Sequence, residues 1–358
     1  MKPTFLILAL ALVSAGCMTN DNATDLIGTS AVQVPVTEIA GNHSIFVTTT
    51  REASADAKVF TNSRSSRLNF ARVNVTVPKS HKPGQIERKK PGKEDDPTQY
   101  FTATDVVAYD AQPGFSSALS ADIAARGGRV MIFIHGYNTS FDSAVYRATQ
   151  IAHDSGYPGT PVLFSWASGG KTRDYVYDRE SASVARDQLE VTLRLLAQSG
   201  ARRIDIVAHS MGTWVTMETL RQMAITGDRD LGGKLGDVVL ASPDIDIDVF
   251  RSQMRRYGKP DRPFFLLLSA DDRALRLSGI LAGNKRVGDY ANASDLDDLG
   301  VITVDLSKEK SGDSLNHTKF ADNPTLIRLL GQRLREDDGY ATDRQVTDRI
   351  NMLNRDGS

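Results

Sequence analysis

The run Ile204-Asp205-Ile206-Val207-Ala208-His209-Ser210-Met211-Gly212-Thr213-Trp214 holds the residue best placed to do chemistry. Apolar residues lead into a serine flanked by Ala208 and Gly212, and a helical pattern follows through Leu220. That order is strand, sharp turn, helix. A serine on such a turn is lifted above the sheet with its hydroxyl presented. Small neighbours are needed because the turn brings two backbones close together. Gly212 meets that need fully, and Ala208 adds one methyl. The chemistry open to this serine is nucleophilic. Its hydroxyl attacks only when a base takes the proton, and the base needs a third group to fix its tautomer and stabilise its charged form.

One histidine lies C-terminal to Ser210. It is His317, in Ser314-Leu315-Asn316-His317-Thr318, and it is expected to be the base. His209 adjoins the nucleophile with its side chain directed elsewhere, so it reads as a packing or hydrogen-bonding residue. Three aspartates follow strand ends and compete for the acid. Asp271 and Asp272 follow Phe264–Ser269, and Asp244 follows Val238–Leu240. Asp272, beside Arg273, is the first choice and Asp244 the alternative. Asp244 would instead cap a helix from about Asp248, with Asp246 as a rival cap. The tetrahedral intermediate also needs donors for its oxyanion. The backbone N–H of Met211 is expected to supply one. The second is assigned to Tyr137 in His135-Gly136-Tyr137-Asn138, where the glycine lets backbone amides face the substrate.

These groups need a frame that gathers strand ends. Ser44–Thr50, Leu68–Pro78 and Thr104–Tyr109 read as N-terminal strands, with a charged, proline-bearing loop between Lys79 and Thr98. From residue 115 helices and strands alternate. Helices at about Phe115–Arg126, Phe141–His153 and Asp178–Gln198 precede the strands Val130–His135 and Val162–Trp166 and the strand of the turn. Apolar strands Val238–Leu240, Phe264–Ser269 and Val301–Leu306 follow, and a helix near Thr325–Arg335 closes the body. Short, nearly all-apolar strands separated by helices indicate an α/β fold with a mainly parallel sheet covered on both faces.

With these residues in view, the chain resembles the α/β-hydrolase superfamily. It is most similar to a bacterial esterase/lipase-like family of unknown function. The resemblance covers roughly residues 44–335. It rests on Phe46-Val47-Thr48-Thr49-Thr50-Arg51, Phe133-Ile134-His135-Gly136-Tyr137-Asn138 and Phe164-Ser165-Trp166-Ala167-Ser168-Gly169. It continues through Tyr177-Asp178-Arg179-Glu180-Ser181, the turn Ala208–Gly212, Ser242-Pro243-Asp244 and Asp272-Arg273-Ala274-Leu275. It implies the chain order serine, acid, histidine, and a serine hydrolase that needs no cofactor. Asp178-Arg179-Glu180-Ser181 reads first as a helix start with capping and acidic first-turn residues, ahead of its reading as a substrate-facing cluster. Trp166 and Tyr137 are candidates to line an acyl pocket, against the plainer reading that they are core.

The remaining sequence bounds the setting. The 358 residues are 40% hydrophobic and carry a formal net charge of −1, which gives no basic footprint for nucleic acid. Lys2 and the apolar run Phe5–Val13 read as a signal peptide over residues 1–16, too short to span a bilayer. Cys17, the single cysteine, follows Ser14-Ala15-Gly16 and resembles the lipidated cysteine of bacterial lipoproteins; ordinary cleavage after Ala15 is the other reading. Residues 17–43 read as a tether, 44–338 as the hydrolase domain and 339–358 as a polar tail. The six histidines are scattered, with no metal-binding spacing, and there is no phosphate-binding glycine loop, so neither metal nor cofactor is expected. The expectation is an exported, envelope-anchored acyl hydrolase acting on small-molecule or lipid esters or thioesters. The competing reading is a non-catalytic envelope lipoprotein that uses the fold for binding.

Overall fold

The structure, a computed structural model, describes residues 34–54, 60–90, 92–289, 296, 298–309 and 312–335. The expected signal peptide, Cys17, residues 18–33 of the tether and the 339–358 tail lie outside the described residues.

Nine strands form one sheet: β1 (Ile39–Ala53), β2 (Phe60–Pro78), β3 (Thr102–Tyr109), β4 (Arg129–Ile134), β5 (Thr160–Ser165), β6 (Arg203–His209), β7 (Leu235–Ala241), β8 (Phe264–Leu268) and β9 (Val301–Asp305). Their spatial order is β3-β2-β1-β5-β4-β6-β7-β8-β9. Only β2 runs against its neighbours; from β1 through β9 every pairing is parallel. The helices are α1 (Gln112–Ala125), α2 (Phe141–Asp154), α3 (Tyr175–Gln198), α4 (Met211–Ile225), α5 (Ile247–Tyr257), α6 (Arg273–Ala282), α7 (Lys319–Asp322) and α8 (Pro324–Arg335).

The strand side chains alternate between two cores, as the pleat requires. Val130, Ile132 and Ile134 of β4 join the core built with α1, α3, α4 and α5. Met131 and Phe133 face the other core, with α2, α7 and α8. A strand buried on both faces has no polar side to show, which is why the central strands read as unbroken apolar runs.

Several elements differ from the sequence reading. β1 begins at Ile39, so residues 39–43 belong to the sheet and not to the tether. β2 begins at Phe60, eight residues before Leu68, because its polar start is held by backbone pairing with β1 (Arg51 opposite Arg64, Ala53 opposite Phe60). Helix α6 was not expected. It is only ten residues long, with Leu277 and Ile280 exposed, so its pattern spans too few turns to stand out.

Candidate active site

The turn between β6 and α4 carries Ser210 at φ 52° and ψ −125°. A non-glycine residue at positive φ costs about 1–3 kcal/mol and persists only where its surroundings over-determine it. Here they do. The Ser210 N–H donates to the Ala241 carbonyl at 2.9 Å, and the Ser210 carbonyl accepts from Thr213 Oγ1 at 2.6 Å and from the Asp244 N–H at 3.3 Å. The neighbouring glycines are set by space. A Cβ on Gly212 would lie 2.4 Å from the His135 carbonyl oxygen, and one on Gly136 would lie 2.8 Å from Ser210 Cβ. Ala208 is fully buried in the core shared with α1, α3, α4 and α5. With Gly136 packed against it, Ser210 is only 3% exposed, less open than the turn alone suggests. Among the described residues its hydroxyl makes no hydrogen bond. Contacts of this kind often close only around a substrate.

His317 stands in the loop between β9 and α7. Its Nδ1 lies 2.7 Å from Asp272 Oδ2. With Nδ1 donating to the carboxylate, Nε2 is left as the accepting nitrogen. Asp272 is buried at the N-cap of α6, where its other oxygen accepts from the Leu275 N–H at 2.9 Å. One carboxylate thus fixes both a helix start and an imidazole. The loop is braced separately: Asp313 accepts from the His317 N–H at 3.0 and 3.2 Å, and the Arg273 N–H donates to the Leu315 carbonyl at 2.9 Å. The His317 carbonyl accepts from His209 Nε2 at 3.0 Å and from Ser242 Oγ at 3.2 Å. His209 is the residue before Ser210, so this bond ties the histidine loop to the serine turn. Burial pushes the His317 imidazole down, but the charge and hydrogen bond of Asp272, with Asp313 and Asp244, outweigh it, and its pKa is raised.

The other aspartates are engaged elsewhere. Asp271 pairs with Lys319 Nζ at 2.6 Å and accepts from Asn316 Nδ2 at 3.0 Å. Asp244 pairs with Arg286 Nε at 3.1 Å and accepts from Ser278 Oγ at 2.5 Å and from the Tyr175 hydroxyl at 3.3 Å. It does not cap α5. Asp246 does, accepting from the Asp248 and Val249 N–H groups at 2.9 and 3.2 Å.

The loop after β4 brings Gly136 against Ser210, with Tyr137 next in the chain and Met211 opening α4. Two buried charges that sequence reasoning gave no such role hold this loop. Asp178 lies in the first turn of α3, which starts three residues earlier than expected, and its carboxylate does not cap that helix. It accepts from the Asn138 N–H at 3.0 Å, the Gly169 N–H at 2.6 Å and Ser168 Oγ at 2.6 Å. Arg51, fully buried at the end of β1, donates to the Thr139 carbonyl at 2.6 Å, the Ser168 carbonyl at 3.0 Å, Ser165 Oγ at 2.9 Å and Asn62 Oδ1 at 2.8 Å. Burial raises the Asp178 carboxyl and lowers the Arg51 guanidinium to about 10, each partly offset by the other's charge. The available signals were a charge directly after an apolar strand and an acid in a helix's first turn, neither of which names a partner. Trp166 is fully buried, stacked on His135 at 5.0 Å between ring centres, and belongs to the core. Tyr137 is half-buried, edge-on to Tyr175 at 5.4 Å.

Comparison with known proteins supplies the family. The model described as alpha/beta hydrolase of unknown function (DUF900) matches residues 112–333, more than half of the chain. No curated protein is similar enough to count as a relative. Among solved structures, lipase B of Aspergillus fumigatus is 14% identical over 76% of this chain and 67% of that one, with a TM-score of 0.43. A Rhizomucor miehei esterase is 12% identical over 83% and 84%, with a TM-score of 0.41. A thermostable carboxylesterase cloned from a metagenomic library is 14% identical over 87% and 93%, with a TM-score of 0.36. Likeness at that level says nothing of what this chain cleaves. The assignment rests on the family match, and by it the chain belongs to the alpha/beta hydrolases of unknown function gathered as DUF900.

Proposed function

We propose that the protein is a serine acyl hydrolase acting on carboxylic esters or thioesters. Ser210 attacks the acyl carbon while His317 Nε2 takes its proton and Asp272 holds the imidazole and stabilises its charged form. The Tyr137 and Met211 amides receive the oxyanion. The intermediate collapses as His317 returns the proton to the leaving alcohol or thiol. Water, deprotonated by His317, then attacks the acyl-serine; the acid departs and Ser210 regains its proton. The observation that carries this reading is the 2.7 Å bond between His317 and Asp272, in a loop hydrogen-bonded to the residue next to the strained serine. A panel of p-nitrophenyl esters and acyl thioesters of increasing chain length tests it. Turnover that vanishes in Ser210→Ala supports the reading, and no turnover of any member by native protein contradicts it.

We also propose that the chain is exported and lipid-anchored at Cys17 in the bacterial envelope. The support is the apolar run ending in small residues before the single cysteine. Mass spectrometry of the mature N-terminus tests this: a diacylglyceryl mass on Cys17 is expected, and an unmodified first residue would contradict it.

A further inference from the structure

Three of the six histidines, separated by 38 and 72 residues in the chain, meet at the C-terminal end of α2. His43 of β1 has its Nε2 at 3.0 Å from His153 Nδ1. His81, from the loop after β2, packs edge-on to His153 with ring centres 5.4 Å apart. Asp154, the last residue of α2, has its Oδ1 at 2.7 Å from His81 Nε2. One ligating atom from each of His81, His153 and Asp154 falls within 4.8 Å of the other two.

We propose that His81, His153 and Asp154 form a binding site for a divalent transition metal, with zinc the cation whose chemistry fits best. Two imidazoles and a carboxylate are a donor set zinc accepts, with water completing a tetrahedron. What distinguishes this group from a chance cluster is that the second polar atoms of His81 and Asp154 are already held. Glu87 Oε2 lies 2.8 Å from His81 Nδ1, leaving Nε2 as the ligating nitrogen. A tautomer in which His153 Nδ1 donates to His43 leaves His153 Nε2 with its lone pair. The second Asp154 oxygen accepts from the Gly84 N–H and Gln150 Nε2, both at 2.7 Å, which aims Oδ1 at His81. Such outer partners orient ligands and are worth about 10–100-fold in metal affinity.

The electrostatics agree. Two carboxylates, Glu87 and Asp154, and the partial negative charge at the end of α2 favour a cation there. Binding replaces the proton between His81 Nε2 and Asp154 Oδ1. Zinc–ligand bonds of about 2.0–2.1 Å require that 2.7 Å pair to open by roughly half an ångström. The site stands apart from the acyl chemistry. Helix α2 starts two residues after Thr139 and runs 14 residues, about 20 Å at 1.5 Å per residue, before reaching it. Its effect would be to pin the loop after β2 and the start of β1 onto α2.

The test is titration of purified, chelator-treated protein with zinc chloride by calorimetry, and with cobalt chloride by visible absorption. One equivalent of zinc is expected to bind, with a rise in thermal midpoint and a tetrahedral cobalt band. His153→Ala and Asp154→Asn should weaken binding at least about tenfold, and Glu87→Gln about tenfold; His317→Ala should bind as the native protein does. Failure of native protein to take up one equivalent would overturn the proposal. So would uptake unchanged in His153→Ala and Asp154→Asn, or uptake lost in His317→Ala.

Discussion

At Ser210, His317 and Asp272 the roles are separable by substitution. Ser210→Ala should leave the fold intact and remove turnover. Asp272→Asn should lower kcat by on the order of 10⁴-fold, since the amide cannot hold the imidazole in the accepting tautomer. Asp244→Asn should behave differently, because it strips the buried partner from Arg286; a loss of about 3–5 kcal/mol of stability is expected. Steady-state kinetics paired with urea melts distinguish the two. If Asp244→Asn carried the catalytic loss and Asp272→Asn did not, the acid assignment would be reversed. The pH dependence follows from the raised His317. The base must be neutral to accept a proton, so kcat/KM should rise with pH along a limb centred above the ordinary histidine value of about 6.5. In Asp272→Asn that limb should move to lower pH.

The elements matter because the site is made of strand ends and the loops that leave them. The segment from Gly136 to Thr139 has no regular structure of its own, and it is held by Arg51 from β1 and Asp178 from α3. Gly136→Ala would push a methyl to 2.8 Å from Ser210 Cβ. The expected result is a fall in kcat of about 10²-fold, the scale of a lost oxyanion donor, with little change in secondary structure by circular dichroism. Asp178→Asn keeps the shape but weakens three hydrogen bonds; kcat should fall by about tenfold or more with KM less affected. An effect on KM alone would mean that Asp178 shapes the binding surface and not the oxyanion loop. On the far side, Tyr175 and Ser278 join α3 to α6 through a 2.9 Å hydrogen bond.

For the whole molecule, the parallel sheet and both its helical layers were legible, because strands buried on two faces leave apolar runs such as Val130–Ile134. The turn at Ser210 was legible because backbone crowding restricts its neighbours to small residues. The unread parts depend on contacts across long stretches of chain. Arg51 meets Thr139, Asp178 meets Asn138, and His43 and His81 meet His153; none of these pairs leaves a spacing to count. Buried neutral histidines add a property of the molecule as a whole. Burial lowers His135 to about 3 and puts His209 well below its ordinary value. Below about pH 6.5 the unfolded chain binds protons that these two do not bind in the native state, so stability falls as pH falls. The raised His317 does not oppose this, since its contribution is already complete below the unfolded value and is lost only as pH rises through the folded one. The unfolding free energy from urea melts should decline between about pH 6.5 and 5 by on the order of 1.4 kcal/mol per pH unit for each of the two. His135→Gln should reduce the overall slope, and an unchanged slope would show that His135 is not a neutral buried group.

The most direct measurement of the central claim is labelling of the folded protein with a fluorophosphonate, followed by peptide mapping. One adduct per chain is expected, on Ser210, formed faster as pH rises through the His317 titration and absent from His317→Ala. Labelling on a different residue, or none on folded native protein, would contradict the assignment of Ser210 as a nucleophile activated by His317.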